Sequence, residues 1–277
     1  MTVLPVNEAP RDLLEVFHTA KESVLAHYYE PEPGLFIAES AKVALRALDA
    51  GYEPVALLTE TGLPDQEVTP LLERLSGIPA YEADSQRFRE IAGYPMTRGV
   101  LCAFRRKKLP DTRRLLASLD TSVPSPRRRI AVLDHVVNPS NIGSIFRNAA
   151  ALEMDAVLLT NGCCDPLARR SIRVSMGCVF QVPWTVCGEG AGSGALPDLL
   201  RQSGYRTAAL ALTRRSISLR DPRLRDENRL ALILGNEGSG LDPETIEACD
   251  YTVRIPMREG VDSLNVAAAS AVAFWAV

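Results

Sequence analysis

No apolar run in this chain of 277 residues approaches the ~18 residues that a bilayer-spanning helix needs. The opening stretch, MTVLPVNEAPRDLL, also lacks the basic region and apolar core of a secretory signal. Histidine is scarce (His18, His27 and His135), and the cysteines (Cys102, Cys163, Cys164, Cys178, Cys187 and Cys249) include no CxxC pair. A zinc site is therefore not expected, and no other metal site is suggested. Scattered cysteines without a signal sequence point to a reducing, cytoplasmic setting. An excess of one charge sign is missing too. Lys and Arg number 31 against 34 Asp and Glu, a net of −3, so any attraction to nucleic acid must come from local clusters. The chain has no internal repeat and no low-complexity tract. No GxGxxG follows its first strand, and no glycine turn is followed by Gly-Lys-Ser/Thr. Dinucleotide-binding and P-loop readings therefore lack their signatures.

What is present is the make-up of a globular protein with a sizeable core: 46% apolar and 23% charged residues. The length allows two domains. Strand-like and helix-like runs alternate throughout, the pattern of an α/β fold. In the first half, residues 11–29 have helical spacing, and strands are expected at 34–40, 54–60 and 98–106, with helices at 41–51 and 68–77. The stretch Thr121–Pro126, rich in Pro, Ser and Thr, reads as a linker. The expected division is a small domain at 1–118, a linker at 119–128 and a second domain at 129–277. In that second domain strands are expected at 129–136, 156–160, 183–186, 206–212, 230–235 and 251–257. Helices are expected at 140–152, 168–180, 196–204, 242–249 and 263–277. LALILG (230–235) is apolar enough to lie centrally in a parallel sheet. The alanine-rich last helix is expected to be buried on most faces.

Three segments of the second half carry candidate chemistry. NPSNIGSIFRNAAAL (138–152) places polar residues before a helix and a lone arginine, Arg147, four residues after Gly143 on the same face. Without a ligand, Ser140 or Asn141 is simply the N-cap and Arg147 extends to solvent. LILGNEGSGL (232–241) is a glycine-rich turn after a buried strand, where backbone can approach a ligand closely; it also reads as a plain tight turn. Glu237 within it binds a polar group or caps backbone N–H groups. IPMREGVDSLNVAAASA (255–271) runs from an extended segment into a helix opened by Ser263 and Asn265, which by themselves read as caps.

Together these segments resemble the three motifs of the SpoU/TrmH family of RNA ribose methyltransferases, within the SPOUT superfamily. The matching patterns are N-P-x-N-x-G-x-x-x-R, L-x-L-G-N-E-G-x-G-L and I-P-M-x(6)-L-N-V-A-x-A-x-A, and the resemblance covers residues 129–277. Asn138 departs from it, since an aspartate is common there. The first half resembles the small α/β RNA-binding domain, similar to a ribosomal protein, that precedes the catalytic domain in many members. The resemblance implies an α/β domain threaded into a trefoil knot, whose pocket holds S-adenosylmethionine largely by backbone groups. The matching positions are Leu234, Gly235, Ile255, Met257 and Leu264. It implies methyl transfer to a ribose 2′-hydroxyl, with Arg147 orienting the hydroxyl or stabilising charge, although an arginine is a poor base at an ordinary pKa above ~12. Asn141, Glu237, Ser263 and Asn265 would complete the polar site. It further implies a homodimer packed through the knotted region. Ribosomal RNA is the expected substrate, and transfer RNA the alternative.

RNA contacts are expected from five basic clusters: Arg105–Arg106–Lys107–Lys108, Arg113–Arg114, Arg127–Arg128–Arg129, Arg169–Arg170 with Arg173, and Arg214–Arg215. A non-catalytic RNA-binding protein on the same fold is the rival from another class; retention of all five polar site residues argues against it.

Overall fold

The computed structural model describes residues 2–17, 34–94, 99–122, 127–187, 195–236 and 238–277. The chain divides into two compact units: residues 1–108 with 167–181, and residues 109–166 with 182–277.

The first unit contains β1 (Leu4–Pro5), α1 (Arg11–Phe17), β2 (Leu35–Glu39), α2 (Ala41–Asp49), β3 (Pro54–Glu60), α3 (Asp65–Arg74), β4 (Ala80–Ala83), α4 (Ser85–Ala92) and β5 (Val100–Arg105). Its five strands form one mixed sheet in the order β1-β4-β3-β5-β2, in which β5 runs antiparallel to both β3 and β2. Phe17, Leu35, Ile37, Leu58, Phe88, Ile91 and Leu101 form its core. The pair β4 and α4 was not expected from the sequence. The strand is only four residues long, and the helix is heavily charged on its outer side. Its cap was nonetheless available: Asp84 accepts from the Arg87 amide at 2.8 Å, and Gly93 closes the helix at φ +82°. Of the helix expected over 11–29, the part beyond Phe17 lies outside the described residues.

The second unit opens with α5 (Thr112–Ser122) and continues through β6 (Arg128–Leu133), α6 (Pro139–Ala151) and β7 (Ala156–Leu159). After β7 comes α7 (Arg169–Ser175), which belongs to the first unit. The chain then returns with β8 (Trp184–Val186), α8 (Ala195–Gln202), β9 (Arg206–Leu210), β10 (Ile217–Ser218), α9 (Pro222–Asp226), β11 (Arg229–Leu234), α10 (Pro243–Ala248), β12 (Tyr251–Arg254) and α11 (Val266–Ala276). All seven strands are parallel, in the order β10-β12-β9-β11-β6-β7-β8. The two central strands, β6 and β11, are buried almost throughout, as their continuous apolar sequence requires when helices cover both faces.

Two expectations about domain limits change. Residues 112–122 are helical, and Leu115, Leu116 and Leu119 belong to the core of the second unit, so the expected linker at 119–128 begins inside a packed helix. Residues 123–126 lie outside the described residues. The division also passes through the expected second domain, because residues 167–181 fold into the first unit. There Arg46 donates to the Met176 carbonyl at 2.6 Å, and Phe180 packs on Phe36 and Tyr52 at ring distances of 5.3 Å.

Candidate active site

In a parallel sheet, ligands settle beyond the carboxyl ends of the strands, where strand order reverses. Here the chain steps outward from β6 to β7 and β8, then crosses to β9 on the other side of β11. A cavity of ≈ 450 Å³ lies at the carboxyl ends of β9, β11 and β12. Leu210–Leu212, Leu234–Asn236, Gly238–Leu241, Val253–Ile255, Met257 and Asp262–Leu264 line it, with Ile246, Val266 and Ala269.

All five positions expected to hold the cofactor are in this wall: Leu234, Gly235, Ile255, Met257 and Leu264. Ser263 is there as well. Glu237 lies outside the described residues.

The glycine-rich turn is built around Asn236. Its Nδ2 donates to the carbonyl of His135, two residues beyond β6, 2.8 Å away, and its Oδ1 accepts from the Gly238 amide at 2.7 Å. Its carbonyl accepts from the Gly240 amide at 2.9 Å. The turn thus folds back on itself and is tied to the neighbouring strand. It folds so tightly that a Cβ on Gly235 would lie 2.6 Å from the Gly240 carbonyl carbon and 2.7 Å from the Leu241 nitrogen. Only glycine fits there, for lack of space rather than for a special backbone angle.

Asn141 and Asn265 come together: Asn265 Nδ2 donates to Asn141 Oδ1 at 3.2 Å. Asn265 is also the N-cap of α11, its Oδ1 accepting from the Ala267 amide at 3.0 Å and the Ala268 amide at 3.4 Å. The last helix therefore starts at Val266, with Ser263 and Leu264 in the extended segment before it. The cap of α6 is Asn138, not Ser140 or Asn141: Asn138 Oδ1 accepts from the Ser140 amide at 2.8 Å, with Pro139 in the first turn. This leaves Asn141 buried and turned toward Asn265. One helical turn on, Asn148 Nδ2 donates to the Ala267 carbonyl and to Ser270 Oγ, both at 2.9 Å. The first and third motifs are thereby joined at two levels.

Arg147 stands beside Asn148 on α6, exposed, its side chain with no hydrogen bond or ion pair among the described residues. The last helix is less enclosed than expected. Ala268, Val272 and Trp275 share one exposed face, and Trp275 is 80% accessible.

Sequence reasoning missed Asn236 as the organiser of the turn and Leu210–Leu212 as part of the wall. A signal existed for both. An asparagine before glycines bonds its own backbone two residues on, and any strand parallel to the motif strands ends at the same edge of the sheet.

A family model described as the SpoU rRNA Methylase family matches residues 128–275. This chain belongs to that family. It is 37% identical to a protein named an uncharacterized tRNA/rRNA methyltransferase of Mycobacterium tuberculosis, over 87% of this chain and 80% of the relative. A 23S rRNA (guanosine-2′-O-)-methyltransferase, RlmB, of Acinetobacter baylyi is 26% identical over 80% of this chain and 87% of its own. Among solved structures, the AdoMet-bound rRNA methyltransferase of Sinorhizobium meliloti shares the fold with a TM-score of 0.78 at 22% identity, covering 99% of this chain and 95% of that one.

Proposed function

We propose that this protein transfers a methyl group from S-adenosylmethionine to a ribose 2′-hydroxyl in RNA, with ribosomal RNA as substrate, acting in the cytoplasm. The observation that carries the reading is the cavity at the carboxyl ends of β9, β11 and β12, whose wall contains all five motif positions matched to cofactor binding. Its volume suits a nucleoside-sized ligand. Its wall suits one held by backbone: Gly235 is a cradle that a Cβ would fill, and Leu234, Ile255, Met257 and Leu264 supply apolar sides.

When bound there, S-adenosylmethionine supplies a methyl group on a positively charged sulfur, an electrophile that needs no metal. The remaining task is to align a weak nucleophile and relieve the charge that develops on its oxygen. Arg147 is suited to this, because its guanidinium is exposed and uncommitted among the described residues. Asn141 and Asn265 position the first motif against the third. Ser263 offers a hydroxyl in the cavity wall, and Glu237 is assigned to the site by its motif position alone.

The finer architecture follows the same reading. The first unit is the RNA-binding domain. The insertion of β11 between β6 and β9 suits a trefoil knot. The exposed face of Ala268, Val272 and Trp275 suits a second copy of the chain, giving a homodimer.

The test is transfer of labelled methyl to purified rRNA and tRNA by wild type and Arg147→Ala. Label in rRNA as an alkali-resistant dinucleotide is expected, falling by about 10²-fold or more in the variant. A loss of less than ~10-fold would remove Arg147 from the catalytic group. Label in tRNA alone would replace the substrate, and no cofactor binding at all would favour a binding protein on this fold.

A further inference from the structure

The five basic clusters meet different fates in the structure. Arg105 faces Glu53, Arg106 donates to the Leu35 carbonyl and Lys107 to the Ala50 carbonyl. Arg113 holds Gln202 at 3.0 Å. Arg127, Arg128 and Arg129 bind the carbonyls of Arg225, Leu119 and Glu227 respectively. Arg169 and Arg173 are taken by Glu39. Only in the fifth cluster, Arg214–Arg215, do all the cationic heads lack a partner among the described residues.

The turn that carries this pair is firmly held. The Ala211 amide donates to the Val253 carbonyl at 3.0 Å, while Ile217 pairs with Val253 from the other side of β12. The connection 211–217 therefore straddles that strand. Within it, Ser216 Oγ donates to the Ala211 carbonyl at 2.8 Å and accepts from the Thr213 amide at 2.8 Å; the Arg215 amide donates to Thr213 Oγ1 at 3.2 Å. The polar side chains of the turn are bonded within it, and the two exposed guanidiniums are left over.

The position of the turn matters as much as its rigidity. Ala211 and Leu212, at its start, line the cavity, whereas Arg214 and Arg215 do not. Arg254, the residue after Val253, is exposed in the cavity wall and has no side-chain partner among the described residues. Asp262, in the same wall, pairs with none of the three among the described residues. Arg254 and the turn that carries Arg214 and Arg215 meet at the end of one strand; like charges gathered there repel one another, and an anion outside the cavity relieves that repulsion.

We propose that Arg214 and Arg215, with Arg254 beside them, anchor the phosphates that flank the ribose to be methylated. The proposal rests on the RNA methyltransferase reading above. A guanidinium presents paired N–H donors that match phosphate oxygens, and a rigid turn holds two of them at the lip of the cavity without filling it.

The test is binding of a fluorescent rRNA fragment by wild type and the Arg214→Gln/Arg215→Gln double variant across a salt series. Both side chains are exposed, so folding is not at stake. The double variant is expected to bind about ten-fold more weakly, and its slope of log K against log salt should be shallower by about 1.4, two single-strand phosphates. S-adenosylmethionine affinity should stay at the wild-type value. Arg223→Gln, which removes a guanidinium already held by Asp221 at 2.8 Å, should leave the slope unchanged. A double variant with wild-type affinity and slope would overturn the proposal. So would a loss of S-adenosylmethionine affinity with RNA affinity intact, which would reassign the arginines to the cofactor. Wild type without salt-dependent RNA binding would instead remove the RNA reading itself.

Discussion

Gly235→Ala is expected to lose S-adenosylmethionine binding by about 10²-fold or more and methyl transfer with it. A methyl group at this position meets backbone atoms of Gly240 and Leu241 at 2.6–2.7 Å, closer than real contacts of this kind occur. Backbone cannot swing aside as the end of a side chain can. The turn must open, and the Asn236–Gly240 bridge and the Asn236 bond to His135 that shape the cavity wall shift with it. The stability cost should be modest, roughly 1–3 kcal/mol, as for overpacking elsewhere. Calorimetric titration of the cofactor, alongside a thermal melt, separates the two effects. Gly238→Ala is the contrast, because its nearest neighbour, Asn236 Oδ1, lies at 3.4 Å, an ordinary contact. It should bind the cofactor nearly as wild type does. If Gly235→Ala also kept the wild-type Kd, the turn would not be the cofactor's cradle.

The largest loss of stability is expected from Glu39→Ala. Glu39 ends β2 with its side chain only 4% accessible. Its carboxylate meets Arg169 Nε at 2.9 Å and Arg173 Nη1 at 3.3 Å, and it accepts from the Tyr94 hydroxyl. Burial, and then the bond to Glu39, pushes the Tyr94 phenol up to about 12. Arg169 is itself buried, and its Nη1 and Nη2 have no hydrogen-bond partner among the described residues. Glu39 is thus the counter-charge of a guanidinium that water does not reach. Removing it leaves that charge uncompensated, at a cost of about 3–5 kcal/mol. Urea denaturation followed by tryptophan-independent circular dichroism would read the change. A loss below ~1 kcal/mol would mean that Arg169 finds water or another acceptor. Arg169→Met with Glu39→Gln should recover much of the loss, since an uncharged pair of similar size removes both charges together.

The strands of the second unit were legible because β6 and β11 lie between two helical layers and so read as unbroken apolar runs. That Leu234, Gly235, Ile255, Met257 and Leu264 share one cavity wall was legible only through the resemblance of three motifs taken together, because a glycine and plain aliphatics carry no signal singly. The cap of α6 was misplaced although Asn138-Pro139 marks it, because proline at the first helical position makes the residue before it the cap. Helix α5 was hidden by its polar surroundings, although Leu115, Leu116 and Leu119 already have helical spacing. The basic clusters were the least legible. An arginine that binds a carbonyl at the end of a strand and one that waits for a phosphate look the same in sequence, and Arg169 finds its partner 130 positions away.

The path of the chain, leaving the second unit after Pro166 and returning at Val182, bears on how such proteins are assembled and divided. The polypeptide passes between the two units three times, after residues 108, 166 and 181. A bead added by simple end-to-end fusion would be joined once. Cutting at residue 108 would strand Arg169 and Phe180, whose carboxylate and aromatic neighbours lie in the excised piece. A graft of the amino-terminal half between relatives must therefore exchange 167–181 with it, as one inherited module written in two places along the gene.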